Sequence, residues 1–283
     1  MAGISLSTKF LPYIDEMFTQ ESKKSLLTNK DFAWYVDANT VCIYKVTTAE
    51  MNDYGRNGAK EGNWSRYGAV EDLSATTEDM QLKKDRSFTF VIDTLDKMET
   101  EKQVESVKAL ARQLRQVVIP EVDTYTYGVM TSKAGTKPEA VVLTKDNVYE
   151  EILKASQTLD DELVPETGRV LVVTPETYRL MKLNPEIIMN TDVGAEDRKR
   201  GVIGDLDGAK VIKVASSRLP EAFGFMLAHP SATVAPVKLE NYRTHTDPPG
   251  ISGDLVEGRV VYDAFVLDNK AKGIYYQAVE ATE

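Results

Sequence analysis

The sequence predicts a mixed α+β protein, and three observations carry that prediction. Two strand patterns flank a long polar segment rich in glycine, so a long hairpin is expected in the first third of the chain. The pattern of an amphipathic helix runs from Met98 to Ile119. Beyond residue 138, helical patterns alternate with short apolar strands, which is typical of helices layered on a sheet.

Composition and charge limit the functions that the chain can have. Among 283 residues, 44 acidic and 34 basic side chains give a net charge of −10. An acidic chain is poorly suited to bind nucleic acid or an anionic membrane surface through charge. No apolar run approaches the roughly 20 residues of a membrane span, and the first residues lack a signal-peptide pattern. The single cysteine, Cys42, allows no disulfide within the chain. We therefore expect a soluble intracellular protein.

The first 95 residues are predicted to form an arm followed by the hairpin. A short helix is expected in the arm from four apolar residues with helical spacing: Leu11, Ile14, Met17 and Phe18. The first hairpin strand is "TVCIYKVTT", residues 40–48, and the second is a half-buried strand over residues 80–93. Residues 49–79 are rich in Gly, Asn and Asp, have few aliphatic side chains and cannot bury a core. The hairpin is therefore expected to leave the body of the protein.

A long helix is predicted next. Its apolar stripe consists of Val104, Val107, Ala111, Leu114 and Val118, with Val122 and Tyr125 continuing past Pro120. Proline in a helix interior removes a backbone hydrogen bond and crowds the preceding turn. Because the stripe continues, we expect a kink at Pro120 and a helix that reaches Met130.

The rest of the chain is predicted to alternate between helix and strand. One helix face carries five apolar residues: Val148, Ile152, Ala155, Leu159 and Leu163. "RVLVV" (169–173) is a buried strand, and Thr174 and Pro175 are the predicted N-cap and first residue of the next helix. Further strands are predicted in "AKVIKVA", "FGFMLAHP" and "SATVAPVKL". "GRVVYDAFVLDNKAKGIYYQAVE" predicts two strands joined by a turn near residues 268–272.

The sequence contains no persuasive motif for a chemical site. The stretch "RGVIGDLDGAKVIKVASSRLP" has neither the phosphate-loop nor the dinucleotide-binding glycine spacing, and a strand follows it, so turns before a strand are predicted. Two histidines and one cysteine cannot form a soft metal cluster of known spacing, and His229 is expected to have a surface or packing role. The acidic run at 160–162 is interpreted as a solvated helix end. We expect no enzyme activity, cofactor or metal.

The order of these elements resembles the major capsid protein of tailed bacteriophages, the Hong Kong 97 fold. "TVCIYKV" with "NDYGR" is similar to the strand that enters the extended E-loop of that family, and "KKDRSFTFVIDTLDKMET" to the strand that leaves it for the spine helix. "VIPEVDTY" is similar to the middle of that helix. "GVIGDLDGAKVIKVASSRLP" is similar to a segment of the axial domain, and "GRVVYDAFVLDNKAKGIY" to the final strands of the peripheral domain.

The resemblance implies a layout of five segments. They are an N-arm at 1–39, an E-loop with flanking strands at 40–95, a P-domain spine helix at 96–137, an A-domain at 138–240 and returning P-domain strands at 241–283. It also implies a protein that self-assembles as hexamers and pentamers into an icosahedral shell around the double-stranded DNA of a tailed phage or prophage. The subunit would be made in the bacterial host cytoplasm. A portal is an expected partner, and so is a separate scaffolding protein, because the chain starts close to the N-arm. DNA would be enclosed without sequence-specific binding.

Contacts between subunits are therefore the functional sites that we expect. The candidates are aromatic and basic residues of the loop and of the charged run before the glycine stretch: Tyr54, Arg56, Lys60, Trp64, Arg66, Tyr67, Arg198 and Arg200. Aromatic side chains are favoured at interfaces, because they combine a large apolar area with a polar tip.

Two other functions remain open at this point. A bacterial encapsulin would have the same fold around a protein cargo. An α/β enzyme with an inserted lid would need a polar pocket, for which the sequence offers no motif.

Overall fold

The chain divides into two compact units, the hairpin unit of residues 34–82 and the body unit of residues 1–33 and 83–283. A computed structural model describes residues 21–29, 40–46, 48–58, 64–68, 75–95, 106–187 and 202–280. The helix expected at residues 11–18 lies outside the described residues.

The hairpin unit contains the predicted antiparallel pair of strands. β1 (Thr40–Val46) pairs with β2 (Ala75–Gln81) in a register that places Thr40 opposite Gln81 and Val46 opposite Ala75. A diagonal ion pair joins Lys45 and Glu78 at 3.0 Å. The loop is shorter than expected, because residues 75–79 belong to β2.

The strand predicted over residues 80–93 is two strands. β2 ends at Gln81, and β3 (Lys84–Asp93) belongs to the body unit. β3 pairs with β10 (Gly253–Tyr262), which also pairs with β9 (Val237–Thr246), so the sheet order is β3-β10-β9. The apolar residues that predicted a single strand lie at even-numbered positions in both β2 and β3. Their alternation therefore gives no indication of this break.

The long helix continues through Pro120, as predicted. It comprises α1 (Ser106–Gln113), a π turn (Leu114–Val118) and α2 (Ile119–Ser132). The irregularity lies immediately before Pro120, which has no backbone N–H to donate to the preceding turn. Ala111 was expected on the apolar stripe but is exposed, and the predicted helix start at Met98 lies outside the described residues.

A five-stranded mixed sheet forms the centre of the body unit. Its order is β12-β7-β4-β6-β5, from strands β4 (Val170–Val173), β5 (Val202–Leu206), β6 (Ala209–Lys213), β7 (Phe223–Ala228) and β12 (Ile274–Ala278). β4 and β6 are parallel, and the other pairs are antiparallel. The turn from β5 to β6 is Asp207–Gly208, with φ of +49° and +78°, so the glycine stretch forms turns before a strand, as predicted.

Both faces of this sheet are buried. Val170 and Val172 face one cluster with Tyr127 and Met130 of α2. The opposite cluster receives Leu171 and Val173, together with side chains of α3 (Val148–Asp161) and α4 (Pro175–Leu183). The alternation of side chains along a strand explains why the β4 segment is apolar at every position.

The helices on the second face begin as predicted, but one ends early. Thr174 caps α4 by accepting the Thr177 N–H at 3.0 Å, and Pro175 is its first residue. Leu163 was expected on the buried face of α3, but α3 ends at Asp161 and Leu163 is 90% exposed.

The final strands do not form a hairpin with each other. The predicted turn is a 3₁₀ helix, Asp268–Gly273, and β11 (Phe265–Val266) pairs with β8 (Thr233–Val234). β10 belongs to the three-stranded sheet and β12 to the five-stranded sheet. β10 pairs with β3 and β9, whereas β12 pairs with β7, so these two strands do not pair with each other.

Candidate intersubunit contacts

Two described segments of the loop come together as a hairpin tip, which we define as residues 48–58 and 64–68. The Gly55 N–H donates to the Arg66 carbonyl oxygen at 2.9 Å. The rings of Tyr54 and Tyr67 meet edge to face, with centroids 5.1 Å apart. The tip therefore has a defined local structure, which composition alone did not predict.

Glycine is required at two positions of the hairpin tip. A Cβ atom on Gly55 would lie 2.1 Å from the Gly58 carbonyl oxygen. Gly68 has a φ of +100°, and a Cβ there would lie 2.6 Å from the Asn52 side chain. These glycines allow a close approach of the backbone that no other residue would permit at these positions.

The hairpin tip exposes four large apolar side chains. Met51 is fully exposed, Trp64 is 86% exposed, and Tyr67 and Tyr54 are 78% and 50% exposed. Arg56 and Arg66 of the tip are also exposed. Four large apolar side chains are thus exposed on 16 described residues.

Three predicted contact residues cannot be placed. Lys60, Arg198 and Arg200 lie outside the described residues. The structure therefore brings together Tyr54, Tyr67 and the backbone of Arg66, while the basic run at 196–200 stays a prediction.

A buried charged cluster in the body unit was missed from the sequence. Asp123 of α2, 1% exposed, accepts from the Arg218 guanidinium at 3.0 Å and from the Ser22 hydroxyl at 2.7 Å. Burial raises the pKa of Asp123, and the Ser22 hydrogen bond and the charges of Lys24 and Arg218 oppose that rise. The only feature of the sequence that could have indicated this cluster is an acidic residue, Asp123, next to Val122 on the apolar stripe of the helix.

This cluster fixes the N-terminal segment, residues 21–29, to the body unit. The Lys23 ammonium donates to the Lys213 carbonyl oxygen at 2.7 Å, and burial together with the charge of Lys213 lowers the pKa of Lys23. Leu27 is completely buried in the core, and the Asn29 N–H donates to the Thr233 carbonyl oxygen at 2.8 Å. Residues 21–29 therefore pack against the core of their own subunit.

His229 has a packing role, one of the two roles predicted for it. Nδ1 of His229 accepts from the Ser231 N–H at 3.2 Å, and Nε2 lies 3.2 Å from the Thr167 carbonyl oxygen. Burial lowers the pKa of His229, which agrees with a neutral ring that caps a 3₁₀ turn. His245 is half-exposed and lies 3.4 Å from Glu257. Within the described ranges, no group of acidic, histidine or cysteine side chains could hold a metal ion.

Comparison with known proteins identifies the family of this chain. A family model described as "Phage capsid protein" matches residues 76–277, more than half of the chain. The chain belongs to the phage capsid protein family. Comparison with curated proteins finds no match.

Solved capsid structures share the fold of this capsid protein over nearly its whole length. A Mycobacterium phage Che8 structure is 21% identical, with a TM-score of 0.73 over 98% of this chain and 97% of that one. The mature capsid of bacteriophage PhiM1 is 13% identical, with a TM-score of 0.68 over 99% and 93%. The capsid of the cyanophage P-SCSP1u is 12% identical, with a TM-score of 0.69 over 98% and 94%.

The family and the shared fold confirm the α+β class and the resemblance to tailed-phage capsids. The protein is a major capsid protein that forms the shell, and neither the encapsulin nor the enzyme alternative is favoured. The family is structural, and its members belong to the virion capsid. No helix in the described part of the chain is long and apolar enough to cross a membrane.

Proposed function

We propose that each capsid subunit lays its hairpin tip on a neighbouring subunit, and that the resulting shell encloses double-stranded DNA. The observation that carries this proposal is the exposure of Met51, Tyr54, Trp64 and Tyr67 on a unit that is compact by itself. A subunit that assembles with its own copies has neighbours on which these side chains can be buried. The aromatic and basic candidates of the sequence analysis are the contacts that we propose.

The energetics support such a contact. Burying one large apolar side chain contributes about 1.5–3 kcal/mol, and tryptophan, tyrosine and arginine are enriched among the residues that dominate binding. The Gly55–Arg66 hydrogen bond and the Tyr54–Tyr67 contact order the tip before docking. Less conformational entropy is then lost when the tip binds.

The wider assembly that we propose follows the resemblance to tailed-phage capsids. The N-arm, E-loop, spine helix, A-domain and returning strands occupy the five segments given above. The subunits form hexamers and pentamers, are made in the bacterial host cytoplasm, and assemble with a scaffolding protein and a portal. The net charge of −10 supports a shell that holds DNA without binding it tightly.

Substitution at the hairpin tip tests the proposed contact. Trp64→Ala combined with Tyr67→Ala should leave a folded subunit, measured by circular dichroism, and reduce the yield of shells in negative-stain images at least several-fold. Thr76→Ala, at an exposed polar position of β2, is the matched control and should assemble normally. Normal assembly of the double variant would refute the proposed contact.

Hydrogen exchange and particle contents test the other parts of the proposal. The described tip residues should exchange faster in free subunits than in shells, and equal strong protection in both states would mean that the tip packs within its own subunit. Particles from infected or induced cells should carry double-stranded DNA and a portal vertex. Particles that hold only a protein cargo would contradict the proposed content.

A further inference from the structure

Leu163 adopts a backbone conformation that leucine rarely takes. It follows the C-cap of α3 with a φ of +57°. The Val164 N–H donates to the Leu159 carbonyl oxygen at 2.9 Å, and the Leu163 N–H donates to Asp160 at 2.9 Å. These two bonds form a Schellman motif, in which the residue at this position is usually glycine, sometimes asparagine.

The side chain of Leu163 is barely covered by its own subunit. The left-handed conformation brings the Cβ of any L-residue too close to the backbone and costs free energy. That cost is normally offset by packing, yet Leu163 is 90% exposed. The other described non-glycine residues with positive φ are Asp207, Ala222 and Asp247, so Leu163 alone among them combines this strain with a large apolar side chain.

The turn that carries Leu163 is held rigidly on both sides. Arg169, 3% exposed, donates to the carbonyl oxygens of Val164 at 2.6 Å and Pro165 at 3.0 Å, and pairs with Asp160 at 2.7 Å. A buried guanidinium with three partners is a strong fixing point. Leu163 is thus presented to solvent from a turn that would lose little freedom on binding.

A second, solvent-exposed ion pair joins the same turn to another element. The Lys272 ammonium lies 2.7 Å from a carboxylate oxygen of Glu162, the residue before Leu163. Lys272 belongs to the 3₁₀ helix Asp268–Gly273. The turn is therefore connected both to the start of β4 and to the segment before β12.

We propose that Leu163 is an intersubunit knob, whose side chain is buried against a second copy of this chain in the assembled shell. A second copy is the occupant because a shell of this capsid protein surrounds each subunit with identical neighbours. A strained, exposed and rigidly held leucine suits a permanent contact. Burial of its side chain against a neighbour would offset the free-energy cost of the strained backbone in every assembled subunit. The inference rests on shell assembly but not on docking of the hairpin tip.

Replacement of Leu163 by glycine separates the effect of backbone strain in the free subunit from the effect of the lost intersubunit contact. Leu163→Gly should leave the melting temperature of the free subunit unchanged or higher, because glycine relieves the left-handed strain. It should raise the subunit concentration needed for assembly at least about tenfold, because a buried leucine contact is lost. Leu163→Asn should behave in the same way, since asparagine tolerates this conformation. Unchanged assembly in both variants would overturn the proposal.

Ala222→Gly is the matched control. Ala222 is exposed with a φ of +56°, so glycine relieves the same kind of strain but removes only a methyl group. This variant should assemble at the same subunit concentration as the unaltered protein. Its melting temperature should be unchanged or higher.

Photo-crosslinking identifies the occupant directly. Benzoylphenylalanine at position 163 of the full chain should form crosslinks between two copies of the chain in purified shells. In shells that have assembled with this residue, a crosslink to a different protein, or no crosslink, would overturn the proposal. The Trp64 and Tyr67 variants act at another surface, so failure of the tip contact would leave the result at Leu163 unaffected.

Discussion

The ring of Phe88 lies over the backbone of Gly258. The two residues are directly opposite each other in the β3–β10 pair, and a Cβ atom on Gly258 would lie 2.3 Å from the Phe88 ring. Tyr242 of β9 is opposite Gly258 on the other side, and its ring stacks with that of Phe88 at a centroid distance of 6.2 Å. The missing side chain at position 258 thus allows two aromatic rings to meet across a central strand.

Gly258→Ala should lower the free energy of unfolding by about 1–3 kcal/mol, because the new methyl group must displace the Phe88 ring. Gly128→Ala is the control, since a Cβ on Gly128 of α2 meets no atom within 4 Å. It should stabilise the subunit by about 0.5–1 kcal/mol, because alanine is the better helix former. Denaturant unfolding of the free subunits measures both changes.

The close approach itself is tested by a double-mutant cycle. Phe88→Ala removes the ring, so Gly258→Ala should cost much less in that background. An equal cost with and without the ring would show that the loss arises elsewhere in the sheet.

Removal of Arg218 should be strongly destabilising. Arg218→Met leaves the buried carboxylate of Asp123 without its hydrogen-bonded cation, and breaking such a pair costs about 3–5 kcal/mol. Ser22→Ala should cost about 1 kcal/mol, because one hydrogen bond to the same carboxylate is lost. Thermal and denaturant unfolding of the subunit provide the measurements.

The exposed pair of Arg259 and Asp85 is the control for this buried pair. Both side chains are more than half exposed, and Arg259→Met should cost at most about 1 kcal/mol. Comparable losses from the two arginine substitutions would contradict the interpretation that burial makes Arg218 important.

The elements that could be predicted from the sequence are those determined by local spacing. The hairpin, the helix through Pro120 and the cap at Thr174 follow from periodicity and capping chemistry over a few residues. The aromatic contact candidates of the loop could be recognised from side-chain type alone, because aromatic residues are unusual in a segment that is otherwise polar. Their mutual contact, Tyr54 with Tyr67, depends on a turn geometry that the glycines alone do not specify.

What the sequence could not predict depends on distant partners. Asp123 and Arg218 are 95 residues apart in the chain, and no local pattern links them. β10 and β12 were expected as neighbours, but β10 pairs with the preceding β9 and the remote β3, and β12 pairs with the remote β7. The apolar spacing around Leu163 predicted a longer helix. The Schellman hydrogen bonds, which involve the N–H groups of Leu163 and Val164, end α3 before Leu163.

Thr174→Ala should destabilise the subunit by about 1 kcal/mol, the usual cost of losing an N-cap. The Thr174 hydroxyl accepts the Thr177 N–H and lies 3.0 Å from the Thr177 hydroxyl, which donates to the Gly224 carbonyl oxygen. The substitution therefore also weakens a link between α4 and β7. Thr174→Ser keeps the capping oxygen and should retain most of the stability. A serine variant as unstable as the alanine variant would show that the methyl group, not the cap, is important.

Alkaline pH should destabilise the body unit through two tyrosines whose rings meet edge to face at 5.7 Å. Burial, and then the hydrogen bond to Asp263, raises the pKa of Tyr125 from its ordinary value of 10.0 to about 12. Burial, together with the charge and hydrogen bond of Glu121, raises the pKa of Tyr262 to about 12. Because the folded state holds both protons more tightly than the unfolded chain does, the stability is fully present below pH 10. It should fall as the pH rises from about 10 to 12.

Phenylalanine substitution tests this dependence, because it keeps the ring and removes the proton. Tyr125→Phe with Tyr262→Phe should lower the free energy of unfolding at pH 8 by about 1 kcal/mol for each lost hydrogen bond. The same variant should lose less stability between pH 10 and 12 than the unaltered protein. Denaturant unfolding at fixed pH values measures the stability, and absorbance near 295 nm follows tyrosine ionisation in the same samples. An unchanged pH dependence in the double variant would show that other groups control alkaline unfolding.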